Sequence, residues 1–292
     1  MFFTKFRRNA SLLLSAGVMS LVMVGCGSDG ASGVGTVPPP AVSDKVTINA
    51  SNADKVLASS VGGIGKIAGM IDGIVDNLPG LGTTDSKIAS TTAVSSNALA
   101  FSLVSKDCSD GGSISVDGVS TSGGSVTFND CHERGVILNG SAEVSYGSGS
   151  YSIGFTDLNA EFSTGALYLS DAGATVSGSN VDFVIASGAA TVQGMQIEVK
   201  NFTLSKVGSG VTVDGSIKTD CMGGWVDVAT TVPLAFNSSE LLVGGTLTIT
   251  GNSSDMLISV NADGTINAYL NGTIYANYNS AADLPQYNAV CP

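Results

Sequence analysis

The residues of this chain that could carry out acid–base or nucleophilic chemistry are few, because it contains a single histidine, His132. His132 directly follows Cys131, and a cysteine nucleophile needs a base within hydrogen-bond distance. Consecutive side chains on a strand point to opposite faces, so this pair would not converge. Serine triads and most zinc-protease sites also depend on histidine. The sequence therefore predicts no catalytic histidine.

Carboxylates alone could support glycoside hydrolysis, which needs two acidic residues at a suitable separation. Glu143, Glu161 and Glu198 stand in strand-like segments, but no pattern singles out a pair. The run 259–264 has the look of half a calcium-binding loop, yet Leu270 stands where the bidentate glutamate should be. We therefore expect no catalytic residue, no metal site and no cofactor, and predict that the protein is not an enzyme.

The first 25 residues have the organisation of an export signal. Lys5, Arg7 and Arg8 form a positive start, and an apolar run follows from Leu12 to Val24. That run is shorter than the ~20 residues that span a bilayer, which favours a removable signal peptide. It ends in Met23-Val24-Gly25-Cys26, which resembles the lipobox of bacterial lipoproteins. The alternative is an ordinary secretory signal with a chance cysteine.

The resemblance to lipoproteins implies cleavage after Gly25, a diacylglycerol on Cys26 and acylation of the new N-terminus, for example with palmitate. Two or more acyl chains give stable anchoring, so the membrane would be a partner through the lipid on Cys26. In similar lipoproteins an aspartate after the cysteine often marks retention in the inner membrane. Gly27 stands there instead, so we expect the outer membrane, on its periplasmic or its surface face.

Residues 26–45 have the composition of a lipidated, flexible tether. From Gly27 to Asp44 the chain holds only Gly, Ala, Ser, Thr, Val, Asp and Pro, with three prolines in a row at 38–40. Such a segment lacks the large apolar side chains that could pack in a core. We therefore expect it to stay extended and solvated between the lipid and the body of the protein.

The composition indicates an acidic, mainly β protein. Three of the 12 basic residues lie in the signal peptide, so the mature chain would carry nine against 24 acidic residues, a net charge of −15. This charge repels polyanions, so nucleic acid is not an expected partner. The 38 glycines favour many short strands joined by tight turns, while 43% hydrophobic residues exclude a disordered chain.

Four cysteines remain besides Cys26, an even number that suits disulfides in an oxidising compartment. Four cysteines allow three pairings. We favour Cys108 with Cys131 and Cys221 with Cys291, because each pair would close its own stretch of β structure. A metal site is the alternative, but the chain has no CxxC spacing and one histidine.

A helical period runs from about residue 52 to residue 78 within a segment, 46–106, that we expect to pack on the β body. Apolar residues recur there at alternating spacings of three and four, which predicts one amphipathic helix. Gly65, Gly69 and Gly73 lie four apart on a neighbouring face and predict close packing against the concave face of a sheet. We expect a stripe on this helix to face the sheet or a ligand: Leu57, Ile64, Ile71 and Val75.

Beyond about residue 98 the apolar period is two, as in Val181-Phe183-Ile185, and it predicts 13–16 strands joined mainly by hairpins. The phase slips by one near Asn201, which predicts a bulge or a turn there. We expect no second helix. The turn signals in the chain are Asp110-Gly111-Gly112, Asp117-Gly118, Asn139-Gly140, Asp214-Gly215, Asp263-Gly264 and Asn271-Gly272.

These patterns predict an antiparallel β domain over 107–292, either one large sheet, a β-sandwich or an open-barrel meander, with the helix packed on it. Similar cysteine and glycine landmarks in 107–150 and 220–292 suggest two related β-meanders.

Two functions remain open at this point. One is a non-enzymatic envelope lipoprotein that binds or scaffolds an envelope protein. The other is a periplasmic carrier of a lipid or other small amphiphile in a sheet cavity, with the helix as its lid.

Overall fold

The computed structural model describes residues 37–77, 106–120, 123–147, 150–177, 180–207, 210–236 and 242–291. They form one antiparallel sheet of 14 strands in which every strand pairs with the next along the chain, so the predicted mainly β class is confirmed. The sheet is open, with β1 and β14 at its edges. The strands are β1 Lys106–Asp107, β2 Ser113–Ser120, β3 Gly123–Glu133, β4 Val136–Tyr146, β5 Ser150–Phe162, β6 Gly165–Ser177, β7 Asn180–Val192, β8 Met195–Val207, β9 Gly210–Thr219, β10 Val226–Phe236, β11 Leu242–Thr250, β12 Asp255–Val260, β13 Ile266–Leu270 and β14 Thr273–Tyr278.

The predicted helix is α1, Ala53–Asn77, and a second helix, α2, spans Tyr287–Val290. Short 3-10 turns lie at Val42–Asp44 and Ala281–Asp283. The expectation of no second helix was therefore wrong. At four residues, α2 is too short to show a helical period in the sequence.

Helix α1 crosses the strands and runs from one edge of the sheet towards its middle. Near its start, Asp54 accepts a hydrogen bond from the Tyr275 hydroxyl of β14, and near its end Gly73 lies against the Phe162 ring of β5. The nine strand spacings from β5 to β14 would cover about 43 Å in a flat sheet. The 19 residues from Asp54 to Gly73 rise only about 29 Å. The sheet therefore curves around α1, which lies on its concave face.

The core fills the space between α1 and the sheet. Leu57, Ile64 and Ile74 of α1 are fully buried, and they belong to one apolar cluster with side chains from most of the strands. In the middle of the sheet the rings of Phe155 and Phe183 stack with their centroids 6.0 Å apart. Burial of this apolar surface stabilises the helix despite the cost of its glycines, which is about 1 kcal/mol each relative to alanine.

A series of β-bulges bends the strands. Asp157 in β5 and Asn201 in β8 have positive φ angles, and the register between paired strands shifts beside them. A glycine faces each bulge: a Cβ on Gly140 or Gly215 would come within 2.5 Å of the Asp157 or Asn201 carbonyl oxygen. The bulge predicted near Asn201 is confirmed. Bulges increase local twist and bend, which suits a sheet that wraps a helix.

Three of the six predicted turn signals are turns, and three lie inside strands. Asp110-Gly111-Gly112 joins β1 to β2, Asp263-Gly264 joins β12 to β13, and Asn271-Gly272 joins β13 to β14. The turns predicted at Asp117-Gly118, Asn139-Gly140 and Asp214-Gly215 were wrong, because these pairs belong to β2, β4 and β9. Their glycines have positive φ angles, which a bulged strand can require as well as a turn.

The last part of the predicted tether, residues 37–45, contacts the sheet, although most of its residues are exposed. Pro40 is buried, and the backbone of Val37 exchanges two hydrogen bonds with the Asn201 side chain, at 2.8 and 3.3 Å. Trp225 N–H donates to the Asp44 carbonyl at 2.9 Å, and the Lys45 ammonium pairs with Asp227. These contacts are mostly polar, so a lack of large apolar residues did not prevent docking.

Both favoured disulfides are present, Cys108–Cys131 and Cys221–Cys291. The first joins the β1–β2 turn to β3, and the second joins the loop after β9 to the end of α2. The proposed meanders 107–150 and 220–292 lie at the two ends of the single sheet. Their descent from a duplication stays a prediction.

Candidate functional site

A cleft of about 290 Å³ lies beside α1, at the ends of strands β7 and β8. One wall is the second to fourth turns of α1, and the opposite wall is the chain segment that follows β14. Small-molecule sites usually enclose about 300–1,000 Å³. The volume of the cleft lies just below that range, and we consider the cleft as a candidate site for a small ligand.

Glycines on α1 create the space on the helix side of the cleft. A Cβ added to Gly65 would meet no described atom within 4 Å, whereas one on Gly62 would be 3.5 Å from the Met195 side chain of β8. Leu57 and Val61 give this wall its apolar surface. An alanine or leucine at residue 65 would fill space that glycine leaves open.

The floor of the cleft is the hairpin between β7 and β8. Its two turn residues, Gln193 and Gly194, both have positive φ angles, as a type I′ hairpin requires. The Lys66 ammonium donates a 2.9 Å hydrogen bond to the side-chain oxygen of Gln193, which fixes the lysine at the cleft. Gln-Gly was not among the turn signals read from the sequence, so this hairpin was missed.

The second wall runs from Ala281 to Asn288, and the Cys221–Cys291 disulfide joins the chain just after this wall to the loop after β9. The Tyr287 hydroxyl donates a hydrogen bond to Asp220, which anchors α2 to the loop after β9. Burial raises the pKa of Tyr287, and the hydrogen bond to the Asp220 carboxylate raises it further. Tyr287 is therefore neutral at physiological pH.

Of the described residues that line the cleft, only Lys66 is charged. Among the described residues, no carboxylate lies within ion-pair distance of its ammonium, whose hydrogen-bond partner is the neutral Gln193 amide. The rest of the lining is apolar apart from a few amides and the Tyr287 phenol. The arrangement combines apolar walls with a single cation at the floor.

The structure places the predicted helix stripe mainly in the core. Leu57, Ile64 and Ile71 are buried against the sheet, and Leu57 also lines the cleft. The Val75 side chain lies outside what the structure describes. A ligand-facing role for this stripe stays a prediction.

The other residues singled out in the sequence lie away from the cleft or outside the described ranges. Cys131 is bonded to Cys108, so it is not a free nucleophile beside His132. The His132 ring lies 3.4 Å from the Asp130 carboxylate near the end of β3. Cys26 lies outside the described residues, so its lipidation stays a prediction.

None of the helices in the described residues is long and apolar enough to cross a membrane. Within the same ranges, no group of three or more His, Cys, Asp or Glu side chains could hold a metal ion.

Comparison with known proteins adds no assignment. No protein-family model matches the chain, and no curated protein is significantly similar to it.

Proposed function

We propose that this protein is a non-enzymatic, lipid-anchored module of the bacterial cell envelope that binds an extended segment of an envelope protein at strand β14. The anchor would be the lipid on Cys26, and the outer membrane is its proposed location. The proposal rests on the lipobox-like N-terminus and on the surface that the sheet offers at its second edge.

The observation that carries the binding role is the composition and exposure of β14. Its six residues, Thr273–Tyr278, include no charge, no proline and no glycine, and Ile274 is 57% exposed. No described residue pairs with the outer side of this strand. Natural proteins usually protect such an edge with charges, prolines or bulges, and of these β14 has only a bulge, where its register with β13 shifts at Tyr275. An edge without charges or prolines can add a strand from a partner through main-chain hydrogen bonds.

The packing of α1 on the concave face of the sheet supports a binding module rather than a carrier that uses the helix as a lid. Side chains of α1 are fully buried there, and Gly63 and Gly73 lie so close to Ile217 and Phe162 that an added Cβ would approach them within 3 Å. A helix packed in this way is part of the core. Lifting it as a lid would expose its whole apolar stripe to water at a large free-energy cost.

Site-specific photo-crosslinking in bacteria tests the binding role. A photoreactive amino acid at Asn277, an exposed position of β14, should give an adduct of one defined mass with an envelope protein. The same amino acid at Tyr168, which is 43% exposed on the central strand β6, is the matched control and should give none.

A second variant links the adduct to strand pairing. Ile274→Lys places a charge on the edge at an exposed position, so it should abolish the Asn277 adduct with little effect on stability. If the adduct persists in Ile274→Lys, or forms equally from Tyr168, binding at the β14 edge is wrong.

Metabolic labelling with an alkyne-tagged palmitate tests the anchor separately. The wild-type protein should be labelled and remain in the membrane fraction, while Cys26→Ala should lose the label and become soluble. An unlabelled wild-type protein would contradict lipidation without bearing on the β14 edge.

A further inference from the structure

We infer that the cleft between α1 and the chain after β14 binds one molecule of a single-chain carboxylate amphiphile, such as a free fatty acid. This inference is independent of partner binding at β14, since the cleft and that edge can be tested separately. It differs from a carrier with a lidded cavity, because the ligand would lie beside α1 and not between α1 and the sheet.

The apolar part of the cleft suits a hydrocarbon chain. Leu57 and Val61 of α1 face Leu284 and Pro285 of the C-terminal segment across the space that Gly65 leaves open. Transfer of each methylene group from water to such a surface is favourable. A volume of about 290 Å³ has room for part of one acyl chain.

The charge of the cleft selects the head group. The protein is acidic, with a net charge of −12, yet the only charged side chain in the described lining is the Lys66 cation. The ammonium group has three donors, and Gln193 accepts from one of them at 2.9 Å. A ligand carboxylate could accept from the others. Charge-assisted hydrogen bonds of this kind are stronger than neutral ones.

The neighbouring polar groups favour a small anion over a cation. The Tyr287 hydroxyl donates a hydrogen bond to Asp220, so the Asp220 carboxylate already has a donor. Gln286 donates its amide to the Leu284 carbonyl at 3.0 Å, within its own segment. Among the described residues no carboxylate lines the cleft, so a cationic head group would find no described partner of opposite charge there.

Isothermal titration calorimetry with decanoate tests the inference on the exported chain carrying Cys26→Ala, which keeps it free of lipid. Decanoate, below its micellar concentration, should bind with one-to-one stoichiometry. Decanol and decyltrimethylammonium have the same chain with a neutral and a cationic head, and each should bind at least tenfold more weakly. Absence of decanoate binding would overturn the inference.

Two helix variants locate the site. Gly65→Leu places a side chain in the cleft and should weaken decanoate binding more than a hundredfold. Gly69→Leu is the matched control, because a Cβ there also meets no described atom within 4 Å and residue 69 does not line the cleft. Both changes favour the helix, so both variants should remain folded. Equal binding by these two variants would place the ligand elsewhere and overturn the inference.

Lys66→Gln tests the head-group contact. Loss of the cation should weaken decanoate by about tenfold or more and leave decanol unchanged, since the chain contacts remain. Unchanged decanoate binding in Lys66→Gln would show that the lysine does not recognise the carboxylate, and the assignment of an anionic ligand would fail.

Discussion

The two sides of helix α1 meet the rest of the protein in different ways. On its packed side, Gly63 and Gly73 lie against Ile217 and Phe162, with space for no more than a hydrogen atom. On its open side, Gly65 and Gly69 have no described atom within 4 Å of an added Cβ. The same residue type therefore permits close approach to the sheet on one side and leaves free volume on the other. The open side is where the cleft lies.

The difference corrects one expectation from the sequence. The spacing of Gly65, Gly69 and Gly73 predicted a single close-packed glycine face. Gly73 is close-packed, but Gly65 and Gly69 are not, and Gly63 takes part in the close packing instead. Spacing identifies which residues share a face of a helix, but it does not show which face meets the sheet.

The largest effect should come from removal of the disulfide that holds the C-terminal segment over the open side. Cys221 and Cys291 are 70 residues apart, and on the chain-entropy model their bond stabilises the fold by about 4 kcal/mol. The double change to alanine should lower the free energy of unfolding in urea by that amount. It should also speed amide hydrogen exchange across 281–291.

The Cys108–Cys131 pair is the control for that experiment. It spans 23 residues, and the same model gives about 3 kcal/mol for its removal. Hydrogen exchange across 281–291 should then stay as in the wild type. A C-terminal segment that remains protected without the Cys221–Cys291 bond would show that packing alone holds it against α1.

The next largest effect should come from a large residue on the packed side. Gly63→Leu brings a side chain into contact with Ile217 and Ile197, since the Cβ alone would lie 2.9 Å from the Ile217 Cδ1 atom. Overpacking of this kind costs about 1–3 kcal/mol. We expect a net loss of about 2 kcal/mol in urea unfolding. A variant as stable as the wild type would mean that α1 can shift on the sheet.

A smaller effect of opposite sign is expected on the open side. Gly65→Ala adds a methyl group into free space and removes the conformational entropy cost of glycine in a helix. The free energy of unfolding should rise by about 1 kcal/mol. Gly69→Ala should match it within a few tenths. A loss of stability at residue 65 alone would show that the cleft closes around this glycine in solution.

The smallest effect concerns the start of α1, where Asp54 accepts a hydrogen bond from Tyr275 of β14. Burial raises the pKa of Tyr278 to about 12, with further contributions from the Asp54 carboxylate and from Tyr275. The neutral phenol is favoured in the folded state, so its contribution to stability is complete below pH 10 and is lost as the pH rises towards 12.

Absorbance at 295 nm can follow this titration. Tyr278→Phe should reduce the absorbance change at high pH by the contribution of one tyrosine, while the contribution of Tyr287, whose pKa is also raised, should remain. If Tyr278→Phe leaves the high-pH component unchanged, the assignment to Tyr278 is wrong.

Much of the sheet could be predicted because its strands repeat with a period of two over long stretches. The segment 181–185 and the phase slip at Asn201 gave a strand and a bulge that the structure contains. The pairs Asn139-Gly140 and Asp214-Gly215 were misassigned as turns. A glycine with a positive φ angle is suited both to a hairpin turn and to a β-bulge. The two differ only in how the partner strand pairs, which the local sequence does not show.

The docked segment and the cleft could not be predicted, because both depend on residues that are far apart in the chain. Val37 binds Asn201, which is 164 residues later. The cleft combines the second to fourth turns of α1 with a hairpin near residue 193 and the segment from Ala281 to Asn288. Each part alone looks like an ordinary helix, turn or loop, and only the tertiary structure brings Lys66 to an apolar surface.

The position of α1 in the chain has a consequence for folding order. Its first turn binds Tyr275, which lies 221 residues later, and Lys45 pairs with Asp227, which lies 182 residues later. A ribosome, and any exporter that works from the N-terminus, releases the helix long before those partners. Strands β1 to β14 can pair one after another as they emerge. The apolar stripe of α1 can be fully buried only after nearly the whole sheet has formed. Contacts of such long sequence separation form slowly. Until then the apolar stripe of α1 is exposed on the nascent chain, and transiently exposed apolar surface of this kind is where a chaperone would bind.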